Sequence, residues 1–216
     1  MTHPKEAATR PYVSDADEIY RQSFALIRAE ADLQRVPPDL EAAAVRMIHA
    51  CGMVDLVDDL AWSPGAGKAM SDALRAGGVI LTDSMMVANG VTRRRLPADN
   101  RVVCTLRDDH VAERAARLGT TRSAAAVDAW VERLPGSVVA IGNAPTALFR
   151  LLELLDGGCP PPAAILGMPV GFVGAAESKI ALAAQAHDVA WLTVHGRRGG
   201  SAIAAAAVNA MASDVE

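Results

Sequence analysis

Ser137-Val138-Val139-Ala140-Ile141-Gly142-Asn143-Ala144-Pro145-Thr146-Ala147-Leu148 is the stretch on which the fold turns. Val138 to Ile141 runs without a polar side chain, the pattern of a strand buried on both faces. Gly142 breaks the run, and Asn143 is a candidate N-cap. Pro145 falls in the first turn of the helix that follows, where its missing N–H costs nothing. The stretch therefore reads as one strand, one turn and the start of one helix.

The same unit recurs on both sides of it. Apolar runs at 79–82, 101–106, 163–166 and 189–194 join 137–141 to make five candidate strands, and helical composition fills 109–118, 122–134, 144–155, 175–186 and 201–212. Strands alternating with helices predict a parallel sheet with right-handed crossovers. The fold class is α/β: a three-layer, doubly wound, mainly parallel five-stranded sheet with an N-terminal helical segment. In that segment Ser14, followed by Asp17 and Glu18, predicts a helix start running to about Asp32. Val36-Pro37-Pro38 breaks the chain. Asp39 then caps a second helix, in which Val45, Ile48 and His49 lie on or near one stripe, and Gly52 ends or bends it. A further helix over 68–75 stops at Gly77-Gly78. Residues 1–13 read as a loose arm and 1–216 as a single domain without internal repeats.

Composition narrows the classes. Hydrophobic residues make up 51% of the 216 and aromatics only 4%, so the apolar content is mostly Ala, Val, Leu and Ile. Such side chains suit helices packed tightly on a buried sheet. A net charge of -4 gives no global basic field, which argues against nucleic acid as partner. The three cysteines are an odd number without metal-type spacing, which predicts reduced thiols and no metal site. The first ten residues hold no apolar signal segment, and no run is long enough to cross a bilayer. These features predict a cytoplasmic protein with no membrane partner. No nucleotide-binding glycine fingerprint follows the first strand, and no Gly-x-Ser-x-Gly elbow is present.

Ligands of such sheets bind outside the carboxyl ends of the strands. The loops there are Asp83-Ser84, Gly142 to Thr146, Gly167-Met168-Pro169-Val170-Gly171, and His195-Gly196-Arg197-Arg198-Gly199-Gly200. Gly142, Asn143, Thr146 and Gly167 are thus substrate-binding candidates, since glycine admits close approach and a helix N-terminus attracts anions. His49 has the side chain best matched to proton transfer near neutral pH. The residues alone leave it open between a proton carrier and a satisfied core histidine. His195, after the last strand, is open between a ligand-facing and a plain loop residue. Ser23 lies mid-helix, where a hydroxyl commonly bonds back to the preceding turn. Arg122 stands at a helix start, against the dipole, and such a local misfit hints at function. Arg93-Arg94-Arg95 and Arg197-Arg198 are either solvated loops or anion contacts.

Taken in order, several stretches resemble the precorrin-8X methylmutase family, which has a cobalt-precorrin-8 form. They are Ile19-Tyr20-Arg21-Gln22-Ser23-Phe24, Arg46-Met47-Ile48-His49-Ala50-Cys51-Gly52-Met53, Leu81-Thr82-Asp83-Ser84, Gly142-Asn143-Ala144-Pro145-Thr146-Ala147-Leu148, Gly167-Met168-Pro169-Val170-Gly171-Phe172-Val173-Gly174-Ala175-Ala176-Glu177-Ser178-Lys179 and Gly196-Arg197-Arg198-Gly199-Gly200-Ser201. The resemblance implies an isomerase of cobalamin biosynthesis that moves a methyl group from C-11 to C-12 of precorrin-8X, giving hydrogenobyrinate. It implies a flavodoxin-like fold, a homodimer and no organic cofactor. The catalytic histidine of the family maps onto His49, and substrate contacts map onto Ser23 and Arg122. A sigmatropic methyl shift asks only that the protein hold the macrocycle and adjust its protonation. Three alternatives stay open: a cobalt-precorrin-8 methylmutase giving cobyrinate, a non-catalytic tetrapyrrole carrier, and a flavin or nucleotide domain of similar fold.

Overall fold

The structure is a computed structural model that describes residues 12–185 and 187–213. Of the expected arm, residues 1–11 lie outside the described residues. The five apolar runs all form strands, four of them shorter than their runs and β5 displaced by one residue: β2 (Ile80–Thr82), β3 (Val102–Val103), β4 (Val138–Ile141), β5 (Ala164–Gly167) and β6 (Ala190–Val194). They are parallel to one another. The expected count of five is corrected to six by β1 (Leu60–Trp62), an antiparallel edge strand that pairs Leu60 with Val194 and Trp62 with Leu192. Three residues are too few to show a strand period. The sheet order is β1-β6-β5-β4-β2-β3. Taken alone and renumbered along the chain, the five parallel strands run 2-1-3-4-5, the flavodoxin order.

Nine α-helices surround the sheet among the described residues: α1 (Ala16–Glu30), α2 (Pro38–Cys51), α3 (Ala66–Arg75), α4 (Met85–Gly90), α5 (Val111–Leu118), α6 (Arg122–Val127), α7 (Pro145–Asp156), α8 (Ala175–Ala184) and α9 (Ser201–Met211). Strand β4 shows how the layers form, since successive side chains of a strand point to opposite faces. Val138 and Ala140 enter one core with Met47 and Ile48 of α2, Leu74 of α3 and Ile203 and Val208 of α9. Val139 and Ile141 enter the other with Trp130, Leu148 and Leu151 of α7 and Leu182 of α8.

Two expected caps are corrected. Asp15, one residue after Ser14, caps α1 by accepting from the Glu18 N–H at 3.0 Å. Asp39 does not cap its own helix, which begins at Pro38 with Pro37 as N-cap. Its carboxylate instead accepts from the Lys68 N–H, 3.0 Å away in the first turn of α3. Gly52 does end α2, in a left-handed conformation at φ 70° that glycine adopts at little cost.

Candidate active site

His49 sits in the last turn of α2, and the position of that turn follows from the topology. After Gly52 the chain makes a tight turn, Val54–Asp59, and enters β1 beside Val194, the last residue of β6. The His195 N–H donates to the Asp59 carbonyl at 2.7 Å and ties the two segments together. The end of α2 therefore lies at the carboxyl edge of the parallel strands, where such folds bind ligands.

Ile48 faces the core, whereas His49 is exposed, so the core-histidine alternative falls away. Its Nδ1 lies 2.8 Å from the Ser23 hydroxyl of α1. The Ser23 side chain does not close back on its own helix. Tyr20 and Phe24 flank the imidazole, with ring centroids 5.5 and 5.2 Å away. A cavity of about 200 Å³ opens beside it, lined by Ser23, Ile27, Glu30, His49, Gly52 and Val54. Among the described residues, Nε2 has no hydrogen-bond partner and no carboxylate pairs with the ring. A hydroxyl both donates and accepts, so the Ser23 bond suits either neutral tautomer. A proton can thus leave or join Nε2 while Nδ1 stays anchored.

Sequence reasoning missed Tyr20 and Phe24. Aromatics are only 4% of the chain, and two of them beside Ser23 on one short helical stretch were the available signal. On α1, Phe24 and Ile27 are buried, whereas Ile19 and Leu26 are exposed.

The crevice between β2 and β4, where the winding reverses, is filled by a protein carboxylate. Asp83, 2% exposed, accepts N–H groups from Gly142 at 3.0 Å, Asn143 at 2.9 Å and Ala144 at 2.7 Å. Asn143 is therefore not the cap: Ala144 is the N-cap residue of α7, with no side-chain cap bond, and Asp83 instead holds the turn that leads into the helix. The N–H groups of the turn before the helix, expected to meet a ligand anion, are taken by this side chain. Burial pushes the Asp83 carboxyl above the usual carboxylate range, against the pull of those donors. Gly142 and Gly167 are needed for packing. A Cβ at Gly142 would lie 2.8 Å from Ser201 Cα, and one at Gly167 would lie 2.4 Å from Leu182 Cδ2.

Arg122 is the first residue of α6, exposed, and donates to the Leu106 carbonyl at 3.1 Å. Its neighbour Thr121 caps that helix and bonds Thr146 Oγ1 at 2.8 Å. The Thr121–Thr146 bond thus brings the starts of α6 and α7 together, with Arg122 next to Thr121 and the exposed Asn143 just before α7. Ser23 and His49 form a second group on the opposite layer of the same sheet edge. Between them stand the loops after β5 and β6.

Those loops hold a buried cation that sequence reasoning left unassigned. Lys179 of α8 is fully buried, and its Nζ donates to the Arg198 carbonyl at 2.6 Å. The Arg198 guanidinium in turn reaches Asp59 at 2.9 Å and Asp55 at 2.8 Å. Burial lowers the Lys179 ammonium to about 8, against a modest pull from Asp59. Below that pH both folded and unfolded chains hold the proton, and the burial cost is complete. Between about 8 and the ordinary lysine value of 10.5 the folded chain releases it first, so the unfolded chain binds more protons and stability rises with pH. Urea unfolding across this window should show a rising contribution in the wild type that Lys179→Met lacks. Parallel pH profiles for the two proteins would contradict it.

Comparison with known proteins covers nearly the whole chain. The sequence profile of the precorrin-8X methylmutase family matches residues 18–214. A Pseudomonas aeruginosa protein named precorrin-8X methylmutase is 65% identical, with 95% of this chain and 99% of that protein covered. A Salmonella typhimurium protein named cobalt-precorrin-8 methylmutase is 39% identical, over 93% of this chain and 96% of that one. A crystal structure of the precorrin-8X methylmutase from Thermus thermophilus superposes with a TM-score of 0.83 at 36% identity, covering 93% of this chain and all of that chain (100%).

Proposed function

The chain belongs to the precorrin-8X methylmutase family, and from that premise we propose that it moves the C-11 methyl group of precorrin-8X to C-12, giving hydrogenobyrinate, with His49 as proton donor and acceptor. The observation that carries the assignment of His49 is its Nδ1 bond to Ser23 at 2.8 Å, with Nε2 left open beside a cavity at the sheet edge. One carbon–carbon bond breaks at C-11 and one forms at C-12, so no atom enters or leaves. The barrier falls if the π-system is protonated as the methyl group migrates. His49 lends that proton to a ring nitrogen or adjacent carbon and takes it back, a role worth about 10²–10⁴-fold. Tyr20 and Phe24 keep the ring in place by packing, and Ser23 sets its rotation.

The substrate is a flat macrocycle with acetate and propionate groups around its rim. Arg122, Thr146 and Asn143 form the polar group that meets these carboxylates on the far layer. Gly142 and Gly167 shape the floor by letting elements approach closely. The metal-free substrate is favoured by the higher identity to the Pseudomonas protein than to the cobalt-named Salmonella one. Among the described residues no helix is long and apolar enough to cross a membrane. The reading includes a cytoplasmic homodimer, with the exposed Ile19, Tyr20 and Leu26 of α1 as apolar surface for it to cover. Light scattering should then give twice the 22.5 kDa chain mass.

Incubating the purified protein with precorrin-8X and with its cobalt form, and following the visible spectrum, tests the proposal. The metal-free form should turn over faster. Faster turnover of the cobalt form would move the chain to the cobalt branch, and tight binding of hydrogenobyrinate without turnover would make it a carrier. Ser23→Ala should lower kcat by about tenfold, the worth of one hydrogen bond of about 1.4 kcal/mol, while leaving KM within about twofold. An unchanged kcat would remove Ser23 from the mechanism.

A further inference from the structure

The paired arginines after β6 have different surroundings. Arg198 is neutralised by Asp55 and Asp59. Among the described residues no carboxylate pairs with Arg197, whose guanidinium lies over the Phe172 ring, 5.0 Å from its centroid. Phe172 is 82% exposed and the adjacent Val173 89%. Large apolar side chains that stand this far out in a group mark a surface that something covers. Below them is a cavity of about 250 Å³ lined by Met53, Val170, Gly171, Phe172, Arg197 and Gly199, with Arg198 at its edge. Met53 follows Gly52, which lines the cavity beside His49, so both cavities border the end of α2.

From this we infer that Phe172 and Arg197 form a second substrate subsite, in which the ring stacks on an edge of the macrocycle and the guanidinium binds one rim carboxylate. The inference rests on the methylmutase reading. An aromatic face suits a flat conjugated ligand, and a guanidinium fork suits a carboxylate. The site is built rather than a chance pairing of surface side chains. The Gly171 N–H donates to the Arg197 carbonyl at 3.2 Å, and the Gly200 N–H to the Met168 carbonyl at 2.8 Å. Gly199 holds φ at 153°, and a Cβ there would lie 2.4 Å from the Met168 oxygen. The ammonium of Lys179 holds the Arg198 carbonyl from beneath, which makes Lys179 a positioning residue for the arginine next to it. A preorganised subsite loses less entropy on binding.

KM, kcat and the Kd for hydrogenobyrinate, measured on Arg197→Gln, Arg197→Lys, Phe172→Ser and Lys179→Met, test this. Arg197→Gln should raise KM and Kd by about tenfold each and flatten the dependence of Kd on salt. Arg197→Lys, which keeps the charge without the fork, should recover part of that loss. Phe172→Ser and Lys179→Met should raise KM more than they lower kcat. If wild-type protein turns over and Arg197→Gln keeps KM and Kd within about twofold, the subsite is overturned. A change in oligomeric mass with unchanged KM would assign the patch to a second copy of the chain and equally overturn it. Wild-type protein that neither binds nor converts precorrin-8X would overturn the methylmutase reading instead.

Discussion

His49→Ala should lower kcat by about 10²–10⁴-fold, the range expected for losing one positioned general acid and base. The side chain is exposed, so its truncation opens no large core cavity, and the melting temperature should move little. Hydrogenobyrinate should still bind, because the proposed contacts to its rim carboxylates lie elsewhere. His49→Asn is the sharper variant. Its amide still reaches the Ser23 hydroxyl but does not carry a proton near neutral pH, so it should be as slow as alanine. Rates within about threefold of wild type in both variants would show that His49 does not move the proton.

Asp83→Ala should cost about 3–5 kcal/mol of stability. The carboxylate accepts three backbone N–H groups from Gly142, Asn143 and Ala144, and removing it leaves them without partners at the start of α7. Each buried donor left unpaired costs about 1–3 kcal/mol. Asp83→Asn keeps one acceptor oxygen and turns an N–H₂ toward the remaining donors, so it should lose about 2 kcal/mol or more. Urea midpoints with an unchanged slope would read the loss as stability alone. A loss under about 1 kcal/mol for alanine would mean that water or a ligand anion takes over the three donors, and that this crevice is a binding site after all.

The strands were legible because a strand buried on both faces has no polar residue to interrupt it. Val138 to Ile141 is all apolar, and every residue of it is buried. Strand β1 was illegible because Leu60–Trp62 is too short to show a period and pairs with a strand far along the chain. The long run at 101–106 contributes only Val102 and Val103 to the sheet, because β3 is an edge strand, paired with β2 alone. The cap of α1 was misread by a single residue, whereas Asp39 and Asp83 were misread because their carboxylates bind backbone N–H groups far along the chain. Asp39 serves α3 and Asp83 the turn before α7, and no local spacing records either.

His49 was the hardest residue to read from spacing. It adjoins the buried Ile48, and helical periodicity does not separate an edge position from a core one. What decides its character is Ser23, 26 residues earlier on another helix. The polar group around Arg122 was half legible. A cation at a helix start signalled a misfit, but the Thr121–Thr146 bond that assembles the corner comes from two helices. Lys179 carried no signal, since lysine in a helix reads as solvated until the loop it supports is seen.

The most direct test of the account is to follow the migrating carbon. Precorrin-8X labelled with ¹³C in its C-11 methyl group is incubated with excess wild-type protein and with His49→Ala, and the methyl resonances are read by NMR. Wild-type protein should move the label to C-12 within the same macrocycle, and the His49→Ala complex should retain it at C-11 over the same time. Label that stays at C-11 in the wild-type complex, or that moves equally fast in the variant, would contradict the assignment of a methyl shift driven by His49.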